Sequence, residues 1–148
     1  MSLFKLCYEY FVGSKVSFLK PYQGDGQEAL YQQASMFWDK LDSLAILYVF
    51  VFLFIGILMA CYYYGPFNNQ AGRHYLPKYW WRFFVGCAIV CFAVTLGIAM
   101  GFVGTKFSGT FLVEFKLALL NAAYSLIVYC LTSIAWCKSN KTNAYKIF

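Results

Sequence analysis

Six cysteines and a single histidine are the side chains of this sequence most suited to chemistry. Cys87 and Cys91 fall one helical turn apart, a spacing at which two thiols can meet a soft metal ion or each other. No pair among Cys7, Cys61, Cys87, Cys91, Cys130 and Cys137 has the C-x-x-C spacing of a redox or zinc centre, and no histidine or carboxylate lies near Cys87 and Cys91 in the sequence. Cysteine in such a setting behaves as a small apolar residue, so neither a metal nor a cofactor is expected. Cys61 and Cys137 fall at helix ends, where acylation is chemically feasible, but no further motif accompanies them. His74 has no acid beside it to orient the ring and no serine or cysteine motif to act on, so no catalytic residue is assigned.

Two further patterns carry physical meaning. Glu114, Asn121, Ser125 and Thr132 are offset by seven, four and seven and share one helical face. Polar residues within an apolar stretch turn towards a neighbouring helix, as hydrogen-bonding glue, or towards a wet pathway between subunits. Glu114, at the expected helix border, is also placed to complement the helix N-terminal dipole. Ala93, Gly97, Gly101 and Gly104 form a second stripe, at spacings of four, four and three. Glycine is costly in a helix, so this stripe predicts close approach of another helix, from the same subunit or from another copy.

The elements that must position these residues follow from where charge is missing. The 148 residues are 61% apolar, 22% aromatic and only 12% charged, where a soluble domain carries about a quarter. No charged residue occurs between Asp42 and Arg73, between Arg82 and Lys106, or between Lys116 and Lys138. Each window holds the roughly 20 residues that cross a hydrocarbon core of about 30 Å. Backbone amides in lipid must be satisfied within their own segment, so each window is read as a helix. The sequence therefore predicts an all-α integral membrane protein with transmembrane helices at 43–64, 83–104 and 117–137.

Residues 1–42 form an amphipathic helical segment, broken near 21–27 by Pro21, Gly24, Asp25 and Gly26. Before the break, Leu3, Phe4, Cys7, Tyr8, Phe11 and Val12 recur at helical spacing and suggest a short helix along the membrane surface. After it, Leu30, Ala34, Phe37, Leu41, Leu44 and Tyr48 make a stripe running into the first span, as in one continuous projecting helix. That seam requires a partner, from this chain or a second copy. The basic N-terminus has scattered charges and no signal-peptide pattern, so the first span is expected to act as its own insertion signal. Residues 138–148 are a short basic tail, whose Asn140-Lys141-Thr142 triplet fits a glycosylation acceptor only if lumenal.

The stretch between the first two spans mixes cations with amphipathic rings. Arg73, Lys78, Tyr79, Trp80, Trp81 and Arg82 are read as a lipid-interface collar, with rings at headgroup depth and cations reaching phosphates. Lysine and arginine near the span ends number three on one side (Lys40, Lys106, Lys116) and six on the other (Arg73, Lys78, Arg82, Lys138, Lys141, Lys146). The bias predicts the N-terminus outside and the C-terminus cytoplasmic; adding the distant Lys5, Lys15 and Lys20 equalises the tally.

The absence of carboxylates and cations deep in any span disfavours a proton-coupled pump. The net charge of +6 comes from the loop and tail beside the spans, which argues against nucleic-acid binding. The expected function is that of a non-enzymatic membrane subunit, an anchor or scaffold whose partners are lipids, copies of itself or other membrane-complex subunits. An oligomeric pore or membrane-permeabilising effector is the alternative, with a small membrane enzyme third.

Overall fold

The computed structural model describes residues 2–24, 26–68, 70, 76–103, 107 and 109–139. Among these, every regular element is helical. Three helices are long and apolar enough to cross a membrane: 45–67, with mean hydropathy 2.6, 77–102 with 2.5, and 110–139 with 1.8. The chain is an all-α, three-span membrane protein. Each span contains most of its expected window but has different limits. The second begins six residues earlier and the third seven earlier, because helical turns continue through Lys78, Arg82, Glu114 and Lys116 beyond the uncharged core.

Three short helices come first: α1 (Leu3–Cys7), α2 (Glu9–Val12) and α3 (Lys15–Leu19), followed by a 3-10 turn at Lys20–Tyr22. Gly13 separates α2 from α3 with φ +110°, in the left-handed region that favours glycine. Ser14 and Ser17 then cap α3 reciprocally. The apolar side chains of this segment are divided between the bundle and the outside. Phe4, Tyr8 and Val12, four residues apart, are buried against the bundle, while Leu6 and Tyr10 face out.

Helix α4 (Glu28–Ser43) leads into α5 (Ala45–Tyr62) through Leu44, whose φ of −87° and ψ of 2° interrupt the helix for one residue. Hydrogen bonds from Leu44 N to Lys40 O (3.2 Å) and from Tyr48 N to Leu44 O (3.1 Å) carry the chain through the joint. The expected continuous helix is thus two helices end to end. Its seam is covered by the chain itself: Ala34 is buried, as are Phe37, Trp38 and Leu41, which cluster with Phe4, Tyr8, Val12, Tyr48, Val103 and Leu117. Lys15 pairs with Asp39 (2.6 Å) and Ser2 donates to Asp42 (2.7 Å), fastening the rim of this contact.

The remaining elements are a wider π-helical turn at Tyr63–Phe67 that contains Pro66, then α6 (Pro77–Phe102) and α7 (Thr110–Ser139). Pro77 opens α6 at a position whose N–H would have no helical partner. Lys40 Nζ reaches the carbonyl of Val103 (3.3 Å), placing a cation at the negative end of α6. A second apolar cluster, of Val51, Ile55, Tyr63, Tyr64, Trp80, Cys87, Cys91 and Tyr129, fills the other end of the three-helix bundle.

Candidate functional site

Midway between the two clusters lies a buried polar node. Asn121 on α7 is fully enclosed, as are Tyr8, Thr95 and Ser125. The Tyr8 hydroxyl donates to Asn121 Oδ1 (2.8 Å). Asn121 Nδ2 donates to the Tyr48 carbonyl on α5 and to Thr95 Oγ1 on α6, both at 3.0 Å. One amide therefore joins all three spans and the N-terminal segment, with both of its protons engaged. In a low-dielectric interior each of these bonds is electrostatically strengthened, and an unmade one is costly. Burial pushes the Tyr8 phenol well above its ordinary range, so it stays a hydrogen-bond donor. A second tie lies alongside, from the Tyr124 hydroxyl to the Cys7 carbonyl (2.7 Å).

The other hydroxyls of α7 turn back on their own helix. Ser125 bonds to Ala122 O, Thr132 to Val128 O and Ser133 to Tyr129 O, each at 2.8 Å. Asn121 and Ser125 are inside the subunit; of the expected face of Glu114, Asn121, Ser125 and Thr132, Asn121 bonds to other helices, while Ser125 and Thr132 bond to their own. Thr132 is half-buried and Glu114 is buried. Because α7 begins at Thr110, Glu114 lies beyond the first turn, where the dipole effect fades.

The cysteine pair also faces α7. Cys91 Sγ donates to the Asn121 carbonyl (3.4 Å) and Cys87 Sγ to the Ser125 carbonyl (3.8 Å), so each thiol faces a backbone oxygen of α7. Among the described residues no group of three or more histidine, cysteine or acidic side chains is placed to hold a metal. His74 and Arg73 lie outside the described residues, as does Gly104.

The small-residue stripe points outward. Ala93, Gly97 and Gly101 are exposed, and a Cβ built on Gly97 or Gly101 would meet nothing within 4 Å. Of the two alternatives expected for this face, a helix of the same subunit is not met at Gly97 or Gly101. Close approach occurs instead at Gly56 on α5, where a Cβ would lie 2.8 Å from Val128 Cβ and 2.9 Å from the Ser125 carbonyl. Only glycine admits this α5–α7 crossing.

Within the interface collar, Lys78, Trp81 and Arg82 are exposed and Tyr79 is half-buried. Lys78 and Arg82 both lie over the Tyr79 ring, at 5.3 and 5.5 Å. Trp80 departs from the collar: only 2% of it is exposed, and it packs at 5.2 Å on Phe84 and 5.3 Å on Tyr129. Consecutive helical residues stand about 100° apart, so here Trp80 turns into the bundle while Trp81 remains outside it.

Three residues of this site were not singled out by sequence: Tyr8 as a node partner, Thr95 and Gly56. Thr95 is the sole hydroxyl side chain in 83–104 and Gly56 the sole glycine in 43–64, and each was a usable signal. No signal marks Tyr8 as the partner of a residue 113 positions away. No protein family, curated protein or solved structure matches the chain.

Proposed function

We propose that this protein is a non-enzymatic membrane subunit whose work is assembly, joining copies of itself or other membrane proteins along the outer face of α6. The observation that carries the reading is the open stripe of Ala93, Gly97 and Gly101. Only 22% of the most apolar stretch of α6 is buried within the subunit, against 33% for the first span and 39% for the third. Lipid tails give exposed glycine no advantage over larger apolar residues, whereas a second helix does, since small residues let two backbones close on each other. The inward turn of Asn121 and Ser125 supports this role over a pore. In the proposed orientation the connection between the first two spans and the C-terminus are cytoplasmic.

Particle mass in mild detergent, by native mass spectrometry, tests the reading. The expected result is an oligomer, or a stable complex with a co-purified membrane protein, that dissociates in a Gly97→Leu/Gly101→Leu variant. A lone monomer refutes it. So does ion leak from liposomes reconstituted with the pure protein.

A further inference from the structure

The outer surface at the far end of the bundle pairs an apolar groove with a cationic rim. The groove, about 420 Å³ in volume, runs along α5 and is lined by Phe54, Ile57, Leu58, Cys61, Tyr62 and Pro66. Leu58, Ile57 and Phe54 precede Cys61 by three, four and seven residues, so the groove descends along one helix face from the headgroup end towards the bilayer centre. At its upper end the Tyr62 ring lies 5.8 Å from that of Phe83, the residue next to Arg82. On α6, Lys78, Arg82, Val85 and Ile89 follow at spacings of four, three and four, all exposed. Two cations therefore stand above two aliphatic side chains, beside the groove. The Tyr79 ring beneath Lys78 and Arg82 restrains both.

Charge decides what fits. All six acidic residues, Glu9, Asp25, Glu28, Asp39, Asp42 and Glu114, precede the first span or lie near the start of the third. That is the opposite end of the bundle, where Lys40 meets the C-terminus of α6. Among the described residues the single ion pair is Lys15–Asp39, at that same distant end. Lys78 and Arg82 thus have, among the described residues, no acidic side chain paired with them. We infer that this surface is a binding site for one anionic phospholipid, its phosphate between Lys78 and Arg82 and an acyl chain in the Phe54–Pro66 groove. A cation at this depth buries its stem and offers its charge to a phosphate, and the guanidinium of Arg82 can hold two phosphate oxygens at once. The inference stands apart from assembly along α6, because Lys78 and Arg82 lie at the start of the helix and Gly97 and Gly101 near its other end.

Native mass spectrometry with equimolar phosphatidylglycerol and phosphatidylcholine of identical chains tests it. Wild-type protein should retain the anionic lipid preferentially. A Lys78→Ala/Arg82→Ala variant should lose about 30-fold of that preference, at about a kilocalorie per mole for each cation. Lys20→Ala, which removes an exposed cation at the other end, should leave it unchanged. Leu58→Trp, at a half-exposed position, should fill the groove and lower retention of both lipids without changing the melting point. The inference is overturned if the double variant stays within twofold of wild type, if Lys20→Ala acts equally, or if Leu58→Trp binds normally. Displacement of the lipid by soluble glycerophosphate also overturns it, since that describes a phosphate site without a chain.

Discussion

Replacing Asn121 with alanine removes three hydrogen bonds at once: from Tyr8, to the Tyr48 carbonyl and to Thr95. Interhelical hydrogen bonds in membrane proteins average about 0.6 kcal/mol each, which gives roughly 2 kcal/mol for the set. The three partners differ in what they keep. The Tyr48 carbonyl retains its helical position, and Thr95 can turn its hydroxyl to a carbonyl of its own helix. Tyr8 is fully buried and has no such recourse, and an unsatisfied buried hydroxyl costs about 1–3 kcal/mol. Asn121→Ala should therefore lower stability by about 3–5 kcal/mol. Tyr8→Phe in the wild type strands the buried Asn121 Oδ1 and should cost about 1–3 kcal/mol. In the Asn121→Ala background the same change removes the stranded hydroxyl, so it should be neutral or stabilising. The assay is a double-mutant cycle of reversible unfolding in mixed micelles, followed by tryptophan fluorescence. Trp38 is a suitable reporter, since its ring lies 5.6 Å from that of Phe4 in the same cluster. If Asn121→Ala stays within about 0.5 kcal/mol of wild type, or Tyr8→Phe costs the same in both backgrounds, the node does not unite the fold.

Gly56→Val forces the α5–α7 crossing apart and should destabilise by about 1–3 kcal/mol, whereas Gly97→Ala in the monomeric state should be neutral or gain up to about 1 kcal/mol of helix propensity. Thermal unfolding of the two side by side checks this, and equal effects would contradict the packing. The neighbouring tryptophans should separate sharply: Trp80→Ala should cost about 3–5 kcal/mol as a core truncation, and Trp81→Ala about 0.5 kcal/mol or less. Denaturant midpoints of the two variants decide between a core and a collar role for Trp80. The exposed Lys15–Asp39 pair should contribute under about 1 kcal/mol, so Asp39→Asn should barely move the melting point at 0.15 M salt. A large fall would mean that the N-terminal segment is held at its rim rather than by Phe4, Tyr8 and Val12.

Sequence alone determined that this chain crosses a membrane three times as helices. Three uncharged windows long enough for the bilayer leave no other way to satisfy the backbone, and that argument needs no knowledge of packing. It also determined that Asn121 and Ser125 would avoid lipid, because a polar side chain in hydrocarbon must find a partner wherever the other helices lie. Of the collar it led one to expect, Lys78, Trp81 and Arg82 are exposed. Tertiary structure decided which partners are met. Hydrophobic periodicity gives each helix a face but not its neighbour, so the seam of Phe37 and Leu41 could equally have met a second copy; the fold closes it with Phe4, Tyr8 and Val12. The same ambiguity left Gly97 and Gly101 expected against a helix of the same subunit or of another copy, while the close crossing within the subunit is at Gly56. Rotation of a helix by a single residue's 100° separates Trp80 in the core from Trp81 at the surface. That rotation is fixed by the sum of contacts along the whole helix, which no short stretch of sequence contains.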